Sequence, residues 1–545
     1  MSMADKVRLR TFFVPRTFML ADDADSRNRS ITRLTNEAST RWLYMLALPI
    51  IVAIFYVTAI GHFAYTPDDT YIYLQFAKNL IHGNGFSFNP GEATYGVTSP
   101  LWLFMISLGG AMGTDLYMGA KVIDLLFASF SLILCYMVAY EIIRDVAVGL
   151  CATVAFSLNA WMLRWAGTGM ETSLSVALML AVVLFCLRNE YFMSVFFASL
   201  LTLVRPEASL IVILILVDLY LNSHNRRRAL STAAALVIVY LMVLAPWFFY
   251  AYKTFGTVLP NSGLAKSGLH LDFTHMVPTA VDVVKTVGFT DAIAAGVVVI
   301  CAVMLVIGFT KDKSPDTHED AARFFFFRQS LLGIGWILLL PLIYVVADVN
   351  VVSRYLLLVT PLLTIYAFSF LYGVVERSRN SRHAYSAVFV LAAFIMLQNQ
   401  FVYRIYVKPG IDTFEQGMQS CLIPIGKWFK DNTPPETRIV APDIGAVGFY
   451  SDRRICDAAG LTSGAMLPYI ASDNSPDDII AKRLYENVCT VDYVIHRAPA
   501  PDQLRSDSTI VQVLTRPFHG LTLSDSRLFY YTVYKVKQPA RASVQ

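Results

Sequence analysis

Charge is scarce in this chain: 15% of its 545 residues are Asp, Glu, Lys or Arg, against roughly 25% in soluble domains, while 56% are hydrophobic. A soluble core of that length cannot bury so much apolar surface, and a mean hydropathy of +0.52 excludes an ordinary globular protein. The basic residues form no continuous face. They lie in short clusters between apolar runs, so the net charge of +4 excludes nucleic acid as the expected partner. Of the seven cysteines, the three nearest the C-terminus show no zinc spacing, and no metal-ligand set stands out. Cys135, Cys151, Cys186 and Cys301 lie in apolar runs, where a thiol packs as a small hydrophobe. Cys421, Cys456 and Cys489 fall near the C-terminus, where an extracytoplasmic setting would allow one disulfide with the pair left open. Internal repeats and low-complexity segments are lacking as well. Residues 1–42 have no apolar stretch directly after a basic start and no small-residue cleavage site, so they read as a polar cytoplasmic tail rather than a removable signal.

What is present is a series of apolar runs. Taking about 20 residues per crossing, membrane helices are expected near 43–63, 121–143, 146–163, 173–187, 191–204, 207–221, 229–250, 287–310, 329–348, 355–375 and 383–402, eleven in all. The glycine-rich run 99–113 is too short for a further span and reads as a partial or surface helix. Arg27 to Arg41, Arg144, Arg188, Arg226 to Arg228, the basic residues of 311–328 and those of 377–382 all fall on one side if the helices alternate. Basic loops face the cytoplasm. The lipid bilayer is therefore the first expected partner, with residues 403–545 outside as a small α/β domain built on short apolar runs near 438, 447, 491 and 530. The expected fold is an α-helical polytopic membrane protein with a transmembrane domain over 43–402 and a C-terminal extracytoplasmic α/β domain.

The same topology sends unusual loops to the outer face: Pro67-Asp68-Asp69, Arg164 to Thr172, Val204 to Glu207, Leu259 to Lys266 and Asp348 to Tyr355. Two adjacent carboxylates at a membrane surface are costly to desolvate, which makes Asp68 and Asp69 the first candidates for chemistry. Apolar residues at helical spacing follow them as far as Gly83, so Asp68 or Asp69 starts a short surface helix. Helix N-terminal amides favour one ionised carboxylate, while the neighbouring acid opposes a second. The pair can thus hold one member ready to accept a proton. Glu171, Arg205, Glu207, Asn261, Lys266, Arg354 and Tyr355 are the substrate-contact candidates on the other loops.

Pro67-Asp68-Asp69-Thr-Tyr-Ile, followed by Phe76-Ala-Lys78-Asn-Leu and Tyr95-Gly-Val-Thr-Ser99-Pro-Leu-Trp102, resembles the first outer loop of GT-C fold glycosyltransferases. Thr168-Gly-Met-Glu171-Thr, Arg205-Pro-Glu207, Leu259-Pro-Asn261, Ser353-Arg354-Tyr355 and Ile439-Val-Ala-Pro-Asp443-Ile-Gly445 match in order, and the nearest branch is that of bacterial terminal arabinofuranosyltransferases. The resemblance implies transfer of a sugar from a polyprenyl-phosphate donor to an acceptor hydroxyl of a cell-envelope glycan or lipid-linked acceptor. It also implies inversion at the sugar, a bacterial cytoplasmic (inner) membrane, and an active site on the extracytoplasmic side. Asp69 takes the place of the family's catalytic acid. Asp68 is left to orient the acceptor, tune Asp69 or help bind a divalent metal.

Plainer roles compete with these. Asp68 and Asp69 suit a helix N-terminus, Glu171 and Glu207 suit hairpin caps, and Arg354 and Lys266 suit snorkelling at an interface. Trp102, Trp165 and Trp247 read as interface-belt residues, and His62 and His82 as hydrogen-bonded loop residues. A transporter or flippase of lipid-linked sugars is the rival function; it calls for paired broken helices and charges at mid-membrane, and neither is expected here. The topology is checked by cysteine labelling: the 311–328 loop is expected on the cytoplasmic side and the C-terminus outside, and labelling both from one side would refute it.

Overall fold

The computed structural model describes residues 46–223, 225–261, 273–311, 317–349, 351–378, 381–472, 474–501, 504, 509–521 and 527–537. The tail 1–42 and the candidate Lys266 lie outside the described residues. Each expected span falls on a helix, although two are broken. The first helices are α1 (Leu46–Ile60), α2 (Asp68–Ile81), α3 (Pro100–Ala111), α4 (Leu116–Ile143), α5 (Val146–Ser157), α6 (Ala160–Trp165) and α7 (Thr172–Leu187). The expected 146–163 span is thus split at Leu158-Asn159, where the Asn159 side chain accepts from the Trp161 and Met162 N–H groups and starts a second helix. The 355–375 span is likewise divided between Ser353–Leu356 and Thr360–Ser378. Among the described residues, four helices are long and apolar enough to cross a membrane: Leu116–Ile143, Arg226–Phe255, Met276–Met304 and Ser381–Asn432.

Local chemistry sets the ends of these helices. Asp115 caps α4 by accepting from the Met118 N–H at 2.8 Å, and Arg144 closes it in the left-handed conformation. Asp145 then caps α5 through the Val148 N–H. On α2, Asp68 and Asp69 occupy the first turn and Lys78 the last, each charge matched to its end of the helix dipole. The helix from Ser381 does not stop at 402: it runs on to Asn432 through two π turns, Tyr403–Val407 and Met418–Leu422. Pro409 and Pro424 follow those turns. Proline cannot donate to the carbonyl four residues back and crowds it, and a widened turn absorbs the misfit.

Beyond this helix a five-stranded sheet has the order β2-β1-β3-β5-β4, with β1 Arg438–Ala441, β2 Arg454–Asp457, β3 Tyr493–Ala498, β4 Ile510–His519 and β5 Leu528–Val536. β1 pairs in parallel with β2 and β3, and β3, β5 and β4 pair antiparallel. Cys456 on β2 is joined to Cys489 by a disulfide, leaving Cys421 as a buried thiol. Three of the expected apolar runs are strands; Val447 to Tyr450 instead belongs to the helix Gly445–Ser451.

The sheet domain packs on the loop and helix that follow α1. Asn89 pairs with β2 like an extra strand residue, exchanging bonds of 2.9 Å with the Ile455 carbonyl and N–H. Arg454 bonds Glu92, and Asp452 is gripped by Lys430 at 2.7 Å and by Lys78. Asp68 accepts from the Gly445 and Ala446 N–H groups, both at 2.8 Å. A Cβ at position 445 would collide with the Asp68 backbone carbonyl, so only glycine permits this approach. Burial, reinforced by the facing Asp443 and Asp69, outweighs the two N–H donors and pushes the Asp68 carboxyl up to about 7.

An unfolded aspartate titrates near 3.9, so the folded state holds the extra proton between about pH 4 and 7. Stability from Asp68 is fully present below that window and falls as pH rises through it. The melting temperature of the solubilised wild type relative to Asp68→Asn is expected to decline from pH 4 to 7 and then level off. A pH-independent difference would refute the buried, proton-binding role.

Candidate active site

Adjacent acids at the start of α2 turn in different directions. Asp68 reaches the sheet domain, whereas Asp69 meets Arg354 with Oδ2 to Nη2 at 2.6 Å. The Asp69 side chain is 34% exposed and that of Arg354 only 9%, so solvent reaches the carboxylate and not the guanidinium. Arg354 belongs to the short buried helix Ser353–Leu356, set off by the break in the expected 355–375 span. Its guanidinium lies 5.4 Å from the centroids of both Trp165 and Tyr355, which supply π faces to a buried cation. The Trp165 indole N–H donates to the Ser353 hydroxyl at 2.9 Å, fixing the ring beside the arginine.

A second arginine stands against the same tyrosine. Arg205 lies 4.9 Å from the Tyr355 ring, pairs with Glu171 at 2.8 Å and stands 3.9 Å from Glu207. Tyr344 donates to Glu207 at 2.9 Å. Two carboxylates therefore meet the Arg205 charge, and those acids hold its pKa above the usual guanidinium range despite burial. Glu171 is 2% exposed, and its Oε2 has no hydrogen-bond partner among the described residues; the same holds for Nε of Arg354. The structure thus gathers Asp69, Arg354, Tyr355, Arg205, Glu171 and Glu207 into one linked cluster.

Asn261 is placed apart from that cluster. Its N–H donates to the Tyr95 carbonyl at 2.9 Å and its side chain lies against Gly464, at the seam between the first loop and the sheet domain. His62 is also absorbed by structure, with Nε2 2.5 Å from the Leu163 carbonyl and Nδ1 2.6 Å from the Tyr403 hydroxyl. Among the described residues, no group of three or more His, Cys, Asp or Glu is arranged to hold a metal. A cavity of about 530 Å³ lies elsewhere, lined by Thr413, Gln416, Gly417, Gln419, Ser420 and His519, and includes none of the candidate residues.

Two expectations change. Trp102, Trp165 and Trp247 are buried rather than belt residues, and their indoles bond Gly169, Ser353 and Tyr95. Charge is also found inside an apolar helix: Lys121 and Asp124 on α4 are fully buried beneath the acidic pair. The signal was available, because ionisable residues within an apolar run mark functional positions.

Solved structures share this architecture. ArnT from Cupriavidus metallidurans, bound to undecaprenyl phosphate, matches with a TM-score of 0.56 over 90% of this chain and 98% of that one, at 13% identity. Its apo form matches with a TM-score of 0.51 at 15% identity, over 91% and 98% of the two chains. The archaeal oligosaccharyltransferase AglB from Archaeoglobus fulgidus, in complex with an inhibitory peptide and a dolichol-phosphate, matches with a TM-score of 0.51 at 12% identity, over 84% of this chain and 70% of that one. Residues 409–534 match the model of a domain of unknown function, DUF8728. No curated protein sequence matches the chain. At these identities the likeness establishes the fold: an α-helical polytopic membrane protein of GT-C type carrying a C-terminal sheet domain.

Proposed function

We propose that the protein is a membrane glycosyltransferase that moves a sugar from a polyprenyl-phosphate carrier to an acceptor hydroxyl. The observation that carries this reading is the contact between partly exposed Asp69 and buried Arg354. One group can take a proton and the other can hold a phosphate, within 2.6 Å of each other. As the acceptor oxygen attacks C1, its proton passes to Asp69. The bond from C1 to the phosphate oxygen breaks, and its electron pair leaves with the phosphate. Arg354 stabilises that charge, held in a site where dielectric screening is weak. Attack from the face opposite the phosphate inverts the sugar carbon.

The same contact makes the base substrate-gated. A carrier phosphate competes with Asp69 for Arg354, and its arrival frees the carboxylate to accept the acceptor proton. Arg205 is neutralised by Glu171 and Glu207, so we assign it to bracing Tyr355 rather than to a second phosphate contact. Asp68 is assigned to docking the sheet domain. The bound lipids named for ArnT and AglB favour a lipid-phosphate donor here. An arabinofuranosyl donor, a cell-envelope glycan acceptor and a bacterial inner membrane rest on the motif resemblance alone, while an outer-face site also follows from the placement of the basic clusters.

Asp69→Asn is expected to lower transfer by on the order of 10²–10⁴ while keeping or tightening carrier binding, because Arg354 loses its competitor. Arg354→Ala should do the reverse and weaken carrier binding first. Purified variants offered a panel of polyprenyl-phosphate sugars and, separately, a nucleotide sugar supply the measurement. Near-normal transfer by Asp69→Asn sinks the base assignment, and turnover of the nucleotide sugar alone sinks the donor class.

A further inference from the structure

Lys121 and Asp124 lie three residues apart on α4, hence on one face of the helix, and both side chains are fully buried. Buried charges in an apolar span are expensive unless a contact needs them. Their contacts are specific. The Lys121 ammonium donates to the Tyr65 carbonyl at 2.9 Å and to the Thr66 hydroxyl at 2.8 Å, with the Phe63 and Tyr117 rings at 5.0 and 5.1 Å from it. Among the described residues no carboxylate forms an ion pair with it. Asp124 Oδ2 accepts from the Gly169 N–H at 3.1 Å and from the Thr168 hydroxyl at 3.3 Å. The Thr168 carbonyl in turn accepts from the Thr70 hydroxyl at 3.1 Å.

These bonds fall on either side of the acidic pair. Tyr65 and Thr66 precede Pro67-Asp68-Asp69, and Thr70 follows it directly. Gly169 has φ of +82°, and a Cβ there would stand 2.9 Å from Thr70 Cγ2, so the 168–169 turn is seated directly on the start of α2. Trp165, four residues before Gly169, carries the ring beside Arg354, while Glu171 two residues after it pairs Arg205. One helix face therefore grips both the loop holding the carboxylate and the loop holding the wall of the cationic site. We propose that Lys121 and Asp124 are positioning residues that fix Asp69 relative to Arg354; this rests on the glycosyl-transfer reading above.

The test compares Lys121→Met, Lys121→Arg, Asp124→Leu, Asp124→Asn and Thr70→Val with Asp69→Asn in parallel, measuring carrier-phosphate binding and transfer separately. A misplacement of about 1 Å can reduce rate by roughly 10²-fold. Lys121→Met and Asp124→Leu are expected to lower kcat by about 10–100-fold while carrier binding stays within about 3-fold. Lys121→Arg and Asp124→Asn keep the donor or acceptor and should restore most of kcat. Thr70→Val removes one bond without exposing a buried charge, so it decides the matter if the charge variants fail to fold. Normal kcat in folded Lys121→Met and Asp124→Leu, or in Thr70→Val where those do not fold, beside an inactive Asp69→Asn, overturns the positioning role alone. So does parallel loss of binding and transfer without rescue by the conservative variants. Transfer retained by Asp69→Asn overturns the base assignment and this proposal with it.

Discussion

The Asp69–Arg354 ion pair is the constraint around which the rest of the site is arranged. A guanidinium that is almost wholly buried needs a counter-charge, or the desolvation of one unpaired ion destabilises the fold by several kcal/mol. The nearest carboxylate is also the most accessible member of the cluster. On the proposed function, stability and reactivity rest on one contact: the fold keeps Arg354 ionised through Asp69, and a carrier phosphate can replace Asp69 without leaving the arginine unpaired. A lysine would serve this role less well. The planar guanidinium lies between two aromatic neighbours and still presents an edge to an oxygen acceptor.

Two neighbouring carboxylates on one helix turn would repel each other if they shared an environment. The structure separates them. Asp68 spends its oxygens on backbone N–H groups of Gly445 and Ala446, and Asp69 turns its Oδ2 to Arg354. The sheet domain thus holds the same two-residue step that carries the proposed base. Lys78 gripping Asp452, and Asn89 pairing with Ile455, spread that attachment along the first loop, so α2 is held between the helices on one side and the sheet on the other.

Much of the helical architecture was legible in the sequence because apolar run length and basic flanks report local physics. The start of α2 at the acidic pair was legible for the same reason, since both acids suit an N-terminal dipole. The partners of those acids were not. Asp69 meets Arg354 and Asp68 meets Gly445 across hundreds of residues, and neither pairing leaves a local trace. The boundary was read at 402 because the last apolar run ends there, and the π turns that carry the helix on through Pro409 and Pro424 have no simple sequence pattern. Tryptophans mistaken for belt residues show a related limit: an indole suits an interface, yet it suits equally a buried position with a carbonyl or hydroxyl in reach.

Lys121 and Asp124 show why a polar group under a site resists reading from one sequence. An apolar pair at those positions would pack against the neighbouring helices with no desolvation to offset, so local stability alone gives no reason to retain charges there. What the charges supply is direction. An ammonium can hold a carbonyl and a hydroxyl at once, and a carboxylate can hold an N–H and a hydroxyl at once, so each fixes a turn at two points rather than one. Two such clamps on a single rigid helix face hold the 65–70 and 168–169 segments in one frame. The Asp69–Arg354 separation then depends on α4 as well as on the two residues in contact, which no pattern within either segment discloses.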